Sequence, residues 1–242
     1  MKTSNKILLG ILLISFGYLA CAQLALHVKY AKQDFTNPGK YNAFFYNEYK
    51  FGNIKHVRIR GLAECQVISS DSVKLSVEKS SLNYIKFNIS GDTLFIYGEY
   101  PADRSADYKL NRSPQNINLY LPSNSDIYAF NSNINVKGNR IPGNQRSYHF
   151  DLTGCNLFTR YRYGMDSLDR YFDTLIVNAR KNSQVILFHN DHFKTLDIRL
   201  DHSLINDFHA KIERANIVTD SSSVLVIGGG NISKLNTTAI KK

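Results

Sequence analysis

Five short stretches in the second half of the chain repeat one pattern, and that repeat limits the possible folds more than any other feature. Each stretch spaces apolar residues two apart, breaks at a small polar corner and resumes: Tyr128–Ile134 (YAFNSNI), Phe150–Leu157 (FDLTGCNL), Val177–Val185 (VNARKNSQV), Ile198–Leu204 (IRLDHSL) and Ile217–Val224 (IVTDSSSV). The steps between their first residues are 22, 27, 21 and 19. A unit of about 20 residues is too small to bury its own apolar face, but stacked copies bury a continuous one. The expected class is therefore all-β. Its expected form is a right-handed parallel β-helix or β-solenoid with coils of about 20 residues over 54–242, and the alternative is a sandwich of antiparallel hairpins. The polar corners hold Asn131, Asn182, Asp201 and Asp220, residue types that tolerate left-handed backbone. The looser steps leave room for an inserted loop around Tyr161–Tyr171.

Alternation also runs upstream of the repeats. Val57–Ile59, Val73–Val77, Ile85–Ile89, Leu94–Ile96 and Ile117–Leu121 each send one face inward, with turns at Ser70-Asp71 and Gly91-Asp92 between them. No window there sustains a 3.6-residue stripe. Residues 31–53 are aromatic-rich, with a turn at Asn37-Pro38-Gly39, and are expected to lead into the solenoid and cap its end.

Residues 1–30 are of another kind. Lys2 and Lys6 precede an apolar run that ends at Ala20-Cys21-Ala22. It reads either as a signal peptide cleaved before Gln23 or, taken as Ile7–Leu26, as a retained membrane anchor of about 20 residues. Lipidation at Cys21 is a third reading, for which Tyr18-Leu19-Ala20 is a poor lead-in. All three mean export. Only Cys65 and Cys155 then remain, in different strand-like segments. An oxidising compartment permits a bridge between them, and two buried free thiols are the alternative.

The net charge is +10, but four of the 30 basic residues flank the apolar N-terminus, leaving 26 against 20 acidic ones beyond it. A balance of +6 suits an anionic surface or simple solubility. No recognised module accompanies it, so nucleic acid is not an expected partner.

The segments Phe51–Gly61 (FGNIKHVRIRG), Cys65–Ile68, Val73–Val77 and Ser90–Ile96 (SGDTLFI), together with the later pairs and the basic export segment, resemble the bacterial family of auto-transporter adhesin head GIN domains, frequent in the Bacteroidetes. The likeness covers about residues 50–235. It implies a β-solenoid exposed in the cell envelope of a Gram-negative bacterium, and it brings no catalytic motif. The stretch 157–171, unusually aromatic and basic, and the tail Lys241-Lys242 depart from the family pattern.

Four features bear on chemistry. Arg160, Tyr161, Arg162 and Tyr163 interleave cations with aromatics and are candidate surface-binding residues for a glycan or a phosphate-bearing polymer. His189-Asn190-Asp191-His192 is the densest set of metal-ligand types, with His202 and His209 one unit later. Asp201 and Asp220, if stacked, would form a carboxylate pair of the kind glycoside cleavage or calcium binding uses. Gly228-Gly229-Gly230 lacks the context of a phosphate loop and reads as a tight corner. In each case a structural role is the competing reading, and no metal, cofactor or catalytic residue is assigned. The expected function is a non-enzymatic envelope protein, binding or adhesion-like or structural, whose partner is an envelope protein or a glycan. The alternatives are a polysaccharide-active β-helix enzyme and a membrane-anchored sensor or regulatory partner.

Overall fold

The computed structural model describes residues 3–31, 45–98, 117–143, 146–159, 168–228 and 232–240. The chain divides into two compact units, Met1–Phe45 and Tyr46–Lys242.

The first unit holds one helix, α1 (Thr3–Ala31). Ile11, Leu12, Leu13 and Ile14 follow one another and are each more than half exposed. At about 100° per residue, four successive side chains take in most of the helix circumference, so the apolar surface has no single face for a protein core to cover. Among the described residues, no helix is long and apolar enough to cross a membrane.

The second unit is almost all strand. Its first part contains β1 (Tyr46–Lys50), β2 (His56–Arg60), β3 (Cys65–Ser69), β4 (Lys74–Glu78), β5 (Ile85–Ser90), β6 (Thr93–Gly98) and β7 (Ile117–Leu121). A short 3-10 helix, Lys79–Tyr84, separates β4 from β5. Next come β8 (Asp126–Phe130), β9 (Asn133–Lys137), β10 (Arg146–Thr153), β11 (Asn156–Phe158), β12 (Arg170–Arg180) and β13 (Gln184–Phe188). The last five are β14 (Asp191–Asp201), β15 (Leu204–Phe208), β16 (Lys211–Asp220), β17 (Val224–Ile227) and β18 (Ile232–Ile240).

These strands form two mixed nine-stranded sheets. Sheet A runs β1-β4-β7-β3-β9-β11-β13-β15-β17, and sheet B runs β5-β6-β2-β8-β10-β12-β14-β16-β18. The pairs β1–β4, β4–β7 and β5–β6 are antiparallel, and the other strand pairs are parallel. From β8 onward each strand lies in the opposite sheet from the one before it.

Parallel register puts like residues in rows. Val57, Ile127, Phe150, Val177, Ile198 and Ile217 form one row across sheet B, all buried. Cys65, Ile134, Leu157, Val185 and Ile205 form the matching row in sheet A. Both belong to one continuous core. Each fully buried apolar side chain of this size contributes about 1.5–3 kcal/mol. Phe172 stacks on Phe193 in the next strand at 4.6 Å and 13°, so large rings are layered as well as aliphatic chains.

Chain order and spatial order part company near the start. β8 pairs with β2 rather than following β7, and β6 and β7 lie on the far side of β2 and β3. Alternating patterning fixes which face of a strand is buried but not which strand lies beside it. Tyr171, expected in an inserted loop, belongs to β12.

The corners explain the polar breaks. Left-handed backbone occurs at Asn131 (φ 47°), Gly154 (φ 63°), Asn182 (φ 63°) and His202 (φ 50°). Asn131 and Asn182 thus behave as expected, but Asp201 and Asp220 do not take that conformation; at the fourth corner His202 does. Gly154 is also closely approached: a Cβ there would lie 2.6 Å from Asn131 Oδ1, which would have to shift.

The residues after left-handed Gly61, Asn131, Gly154 and His202 donate in a repeated pattern. Leu62 N–H donates to Ser132 Oγ at 3.1 Å, Ser132 N–H to Cys155 Sγ at 3.4 Å, and Cys155 N–H to Ser183 Oγ at 3.1 Å. Ser203 N–H donates in the same way to Ser223 Oγ at 3.2 Å. Cys155 occupies a serine position in this pattern. Cys65 and Cys155 are both buried and free, so the bridge does not form. Burial raises both thiols, Cys65 to about 12 with Glu64 adding to the effect.

Candidate functional site

Arg160, Tyr161, Arg162 and Tyr163 lie outside the described residues. Among the others, the histidine cluster separates. Asp191 is fully buried, accepts hydrogen bonds from the Thr159 hydroxyl and, at 3.0 Å, from Phe188 N–H, and lies 3.8 Å from the buried Arg170 guanidinium. It ties a turn to the start of β14. His192 stacks on Tyr171 at 4.6 Å and faces Asp169 at 3.2 Å, while His189 points to solvent. His209 packs beside Gly228, where a Cβ would lie 2.5 Å from its Nδ1; Gly229 and Gly230 lie outside the described residues.

Asp201 and Asp220 do come together, around His202. The ring Nδ1 is 2.8 Å from Asp201 Oδ1 and 3.2 Å from Asp220 Oδ2, and the three residues offer ligand atoms within 4.8 Å of one another. That spacing suits a cation, but the set is closed on itself. Asp220 is buried and accepts from His202 N–H at 3.2 Å and from the Ser223 hydroxyl at 2.5 Å, so it holds a corner. Arg199 is exposed and lies on the sheet B surface. A groove across the starts of β12, β14 and β16 is lined by Tyr171, His192, Lys194 and Lys211 among others, and Glu213 is the one acid among its described lining residues.

The distinctive surface is the outer face of sheet B, where alternation points polar and aromatic side chains to solvent. Three rows cross it in register. The first is Asn88, Phe95, Arg58, Tyr128 and Asp151; the second is Lys86, Tyr97, Arg60, Phe130 and Thr153; the third is Thr93, His56, Asp126 and His149. The Arg58 guanidinium lies over the rings of both Phe95 and Tyr128, 5.7 Å from each centroid, and that of Arg60 lies over Phe130 at 5.5 Å. Phe95 and Tyr97 are nearly parallel, at 12° and 6.3 Å. Tyr128 and Phe130 are 36% and 40% exposed, which is substantial for rings on a finished surface.

The acids bordering this patch are already engaged. Asp126 sits between two imidazoles, 3.1 Å from His56 Nδ1 and 2.7 Å from His149 Nδ1. Asp151 is held by Arg180 at 2.5 Å. Arg58 and Arg60 form no ion pair among the described residues. The sequence reading missed this face because its members come from four separate segments; the one local sign was the run Arg58-Ile59-Arg60 on an alternating strand.

No family model matches the sequence, and no curated protein matches it. Solved structures do resemble the fold. A "putative adhesin" from Parabacteroides distasonis matches with a TM-score of 0.50 at 10% identity, over 80% of this chain and 77% of that one. A "putative adhesin" from Bacteroides fragilis gives 0.44 at 10% identity, over 81% and 93%. A "putative lipid binding protein" from P. distasonis gives 0.37 at 14%, over 81% and 96%. At these identities the first of the three shows a shared fold and nothing finer.

Proposed function

We propose that this chain is a non-enzymatic binding protein of the cell envelope, adhesion-like in role, whose contact surface is the outer face of sheet B. On this reading residues 54–242 are a right-handed β-solenoid, 31–53 lead into it and cap one end, and 1–30 export the chain. The protein is then periplasmic or displayed on the surface of a Gram-negative cell. The in-register parallel pairs that alternate between two sheets support the solenoid. The pairing of β1 with β4, and the packing of Tyr49 and Phe51 on Phe87 at 4.6 and 5.9 Å, support a cap. The all-round apolar surface of α1 supports an export segment, since only an apolar medium satisfies it. The likeness to the P. distasonis protein described as an adhesin agrees with an adhesion-like role.

The observation that carries the function is the exposed aromatic and guanidinium patch around Arg58 and Tyr128, an enrichment typical of binding surfaces. The carboxylates that hydrolysis would use are instead held in a corner and in histidine or arginine contacts, which favours binding over turnover. The test is capture of isolated cell-envelope fractions on immobilised full-length protein. Tyr128→Ala with Phe130→Ala is expected to lose most of the captured material, whereas Gln66→Ala on sheet A loses none. Equal capture by both variants, or release of cleaved glycan products by the wild type, refutes this function.

A further inference from the structure

Resting on that reading of the sheet B face, we infer that its ligand is an acidic polysaccharide, whose carboxylates pair with the guanidinium edges of Arg58 and Arg60. The two arginines are two residues apart on β2 and so project from the same face, about 7 Å apart along the strand. Rings on the flanking strands β6 and β8 sandwich Arg58, and Phe130 supports Arg60. Both arginines are exposed, and a guanidinium carries a planar fork of N–H donors. That fork matches a carboxylate bidentately, and the packing orders the long side chain before a ligand arrives.

Charge decides the sign of the ligand. Arg58 and Arg60 stand together on β2 with no ion pair among the described residues. Of the outward-facing acids beside them among the described residues, Asp126 contacts the His56 and His149 rings and Asp151 pairs with Arg180. The face is an open sheet, so it suits a polymer lying across it more than an enclosed small molecule. Its exposed Tyr128 and Phe130 rings supply apolar area for the C–H faces of sugars, and the exposed Asn88 side chain supplies hydrogen bonds for their hydroxyls. Single-stranded nucleic acid would stack its bases on the same rings and is therefore one arm of the test.

The experiment titrates full-length protein with polygalacturonate and with alginate, using fully methyl-esterified polygalacturonate, a single-stranded DNA oligomer and phosphatidylglycerol vesicles as the other arms. The expected result is binding to both acidic glycans that weakens as salt rises, with at least about tenfold weaker binding to the ester. Arg58→Gln with Arg60→Gln should lose at least about tenfold, and Arg58→Lys with Arg60→Lys should lie between, because charge alone does not restore the fork. Unchanged thermal melts show that the variants are folded. Equal binding of the ester, wild-type binding by the glutamine variant, or preference for DNA or vesicles overturns the acidic-glycan assignment. If DNA or vesicles bind and the arginine variants lose that binding, the outer face remains a binding surface. If the face variants alter neither these titrations nor envelope capture, the wider reading fails too.

Discussion

Single side chains at the corners determine how each strand pair meets the next. Ser183 is fully buried and its Oγ accepts the N–H of Cys155, one unit away. Removing that acceptor strands a buried amide, which costs about 1–3 kcal/mol. Ser183→Ala is therefore expected to lower stability by that amount in urea unfolding, with the slope of the transition unchanged. Cys155→Ser places the hydroxyl used at neighbouring corners and should stay within about 1 kcal/mol of wild type. Cys65 gives a test through pH. Its folded-state thiol is raised from 9.0 to about 12 by burial, so the native state holds a proton that the unfolded chain has released. Stability from this group is complete below pH 9 and is lost as pH rises towards 12. Tyr148, raised from 10.0 to about 12, acts in the same direction. Cys65→Ala should flatten the alkaline fall in urea midpoint, leaving the contributions of Tyr148 and Cys155, while lowering stability at neutral pH through the cavity it leaves. An alkaline limb as steep as wild type would show that Cys65 does not contribute.

At the scale of strands, the repeat itself can be tested by removal. Gln184 is in register with Leu204, and Phe172, Phe193 and Ile212 are in register across β12, β14 and β16. Deleting residues 184–203 takes out β13, β14 and one corner, and joins equivalent positions. The shortened chain is expected to keep a β-type circular dichroism spectrum and a cooperative melt, because each unit touches only its neighbours. Deleting 184–193 removes half a unit and carries β14 into the place of β13. That exchange disturbs the inward rows, and the melt should broaden or disappear. Much of this was legible in the sequence: the apolar pairs at Tyr128, Phe150, Val177, Ile198 and Ile217 fall on β8, β10, β12, β14 and β16. The placement of β2 between β6 and β8 was not, since alternation says nothing about which strand is a neighbour.

Across the whole molecule, the contacts gather into Tyr46–Lys242 and leave α1 outside that unit. A chain beginning at Tyr46 is expected to keep the β-type circular dichroism bands, lose the helical contribution of α1, and melt within a few degrees of the full-length protein. Loss of cooperative unfolding would instead assign the N-terminal unit a part in the core. The candidate site belongs to this largest scale. Arg58, Phe95, Tyr128 and Asp151 are spread over more than ninety residues of sequence, yet they stand side by side in one row. By itself the sequence determined the secondary-structure type, the corners and the inward faces, because side-chain alternation and turn chemistry act over a few residues. Only the tertiary structure decided which strands are neighbours, and so which arginine meets which ring. Register between distant segments is set by the packing of the whole core, and no local stretch of sequence contains it.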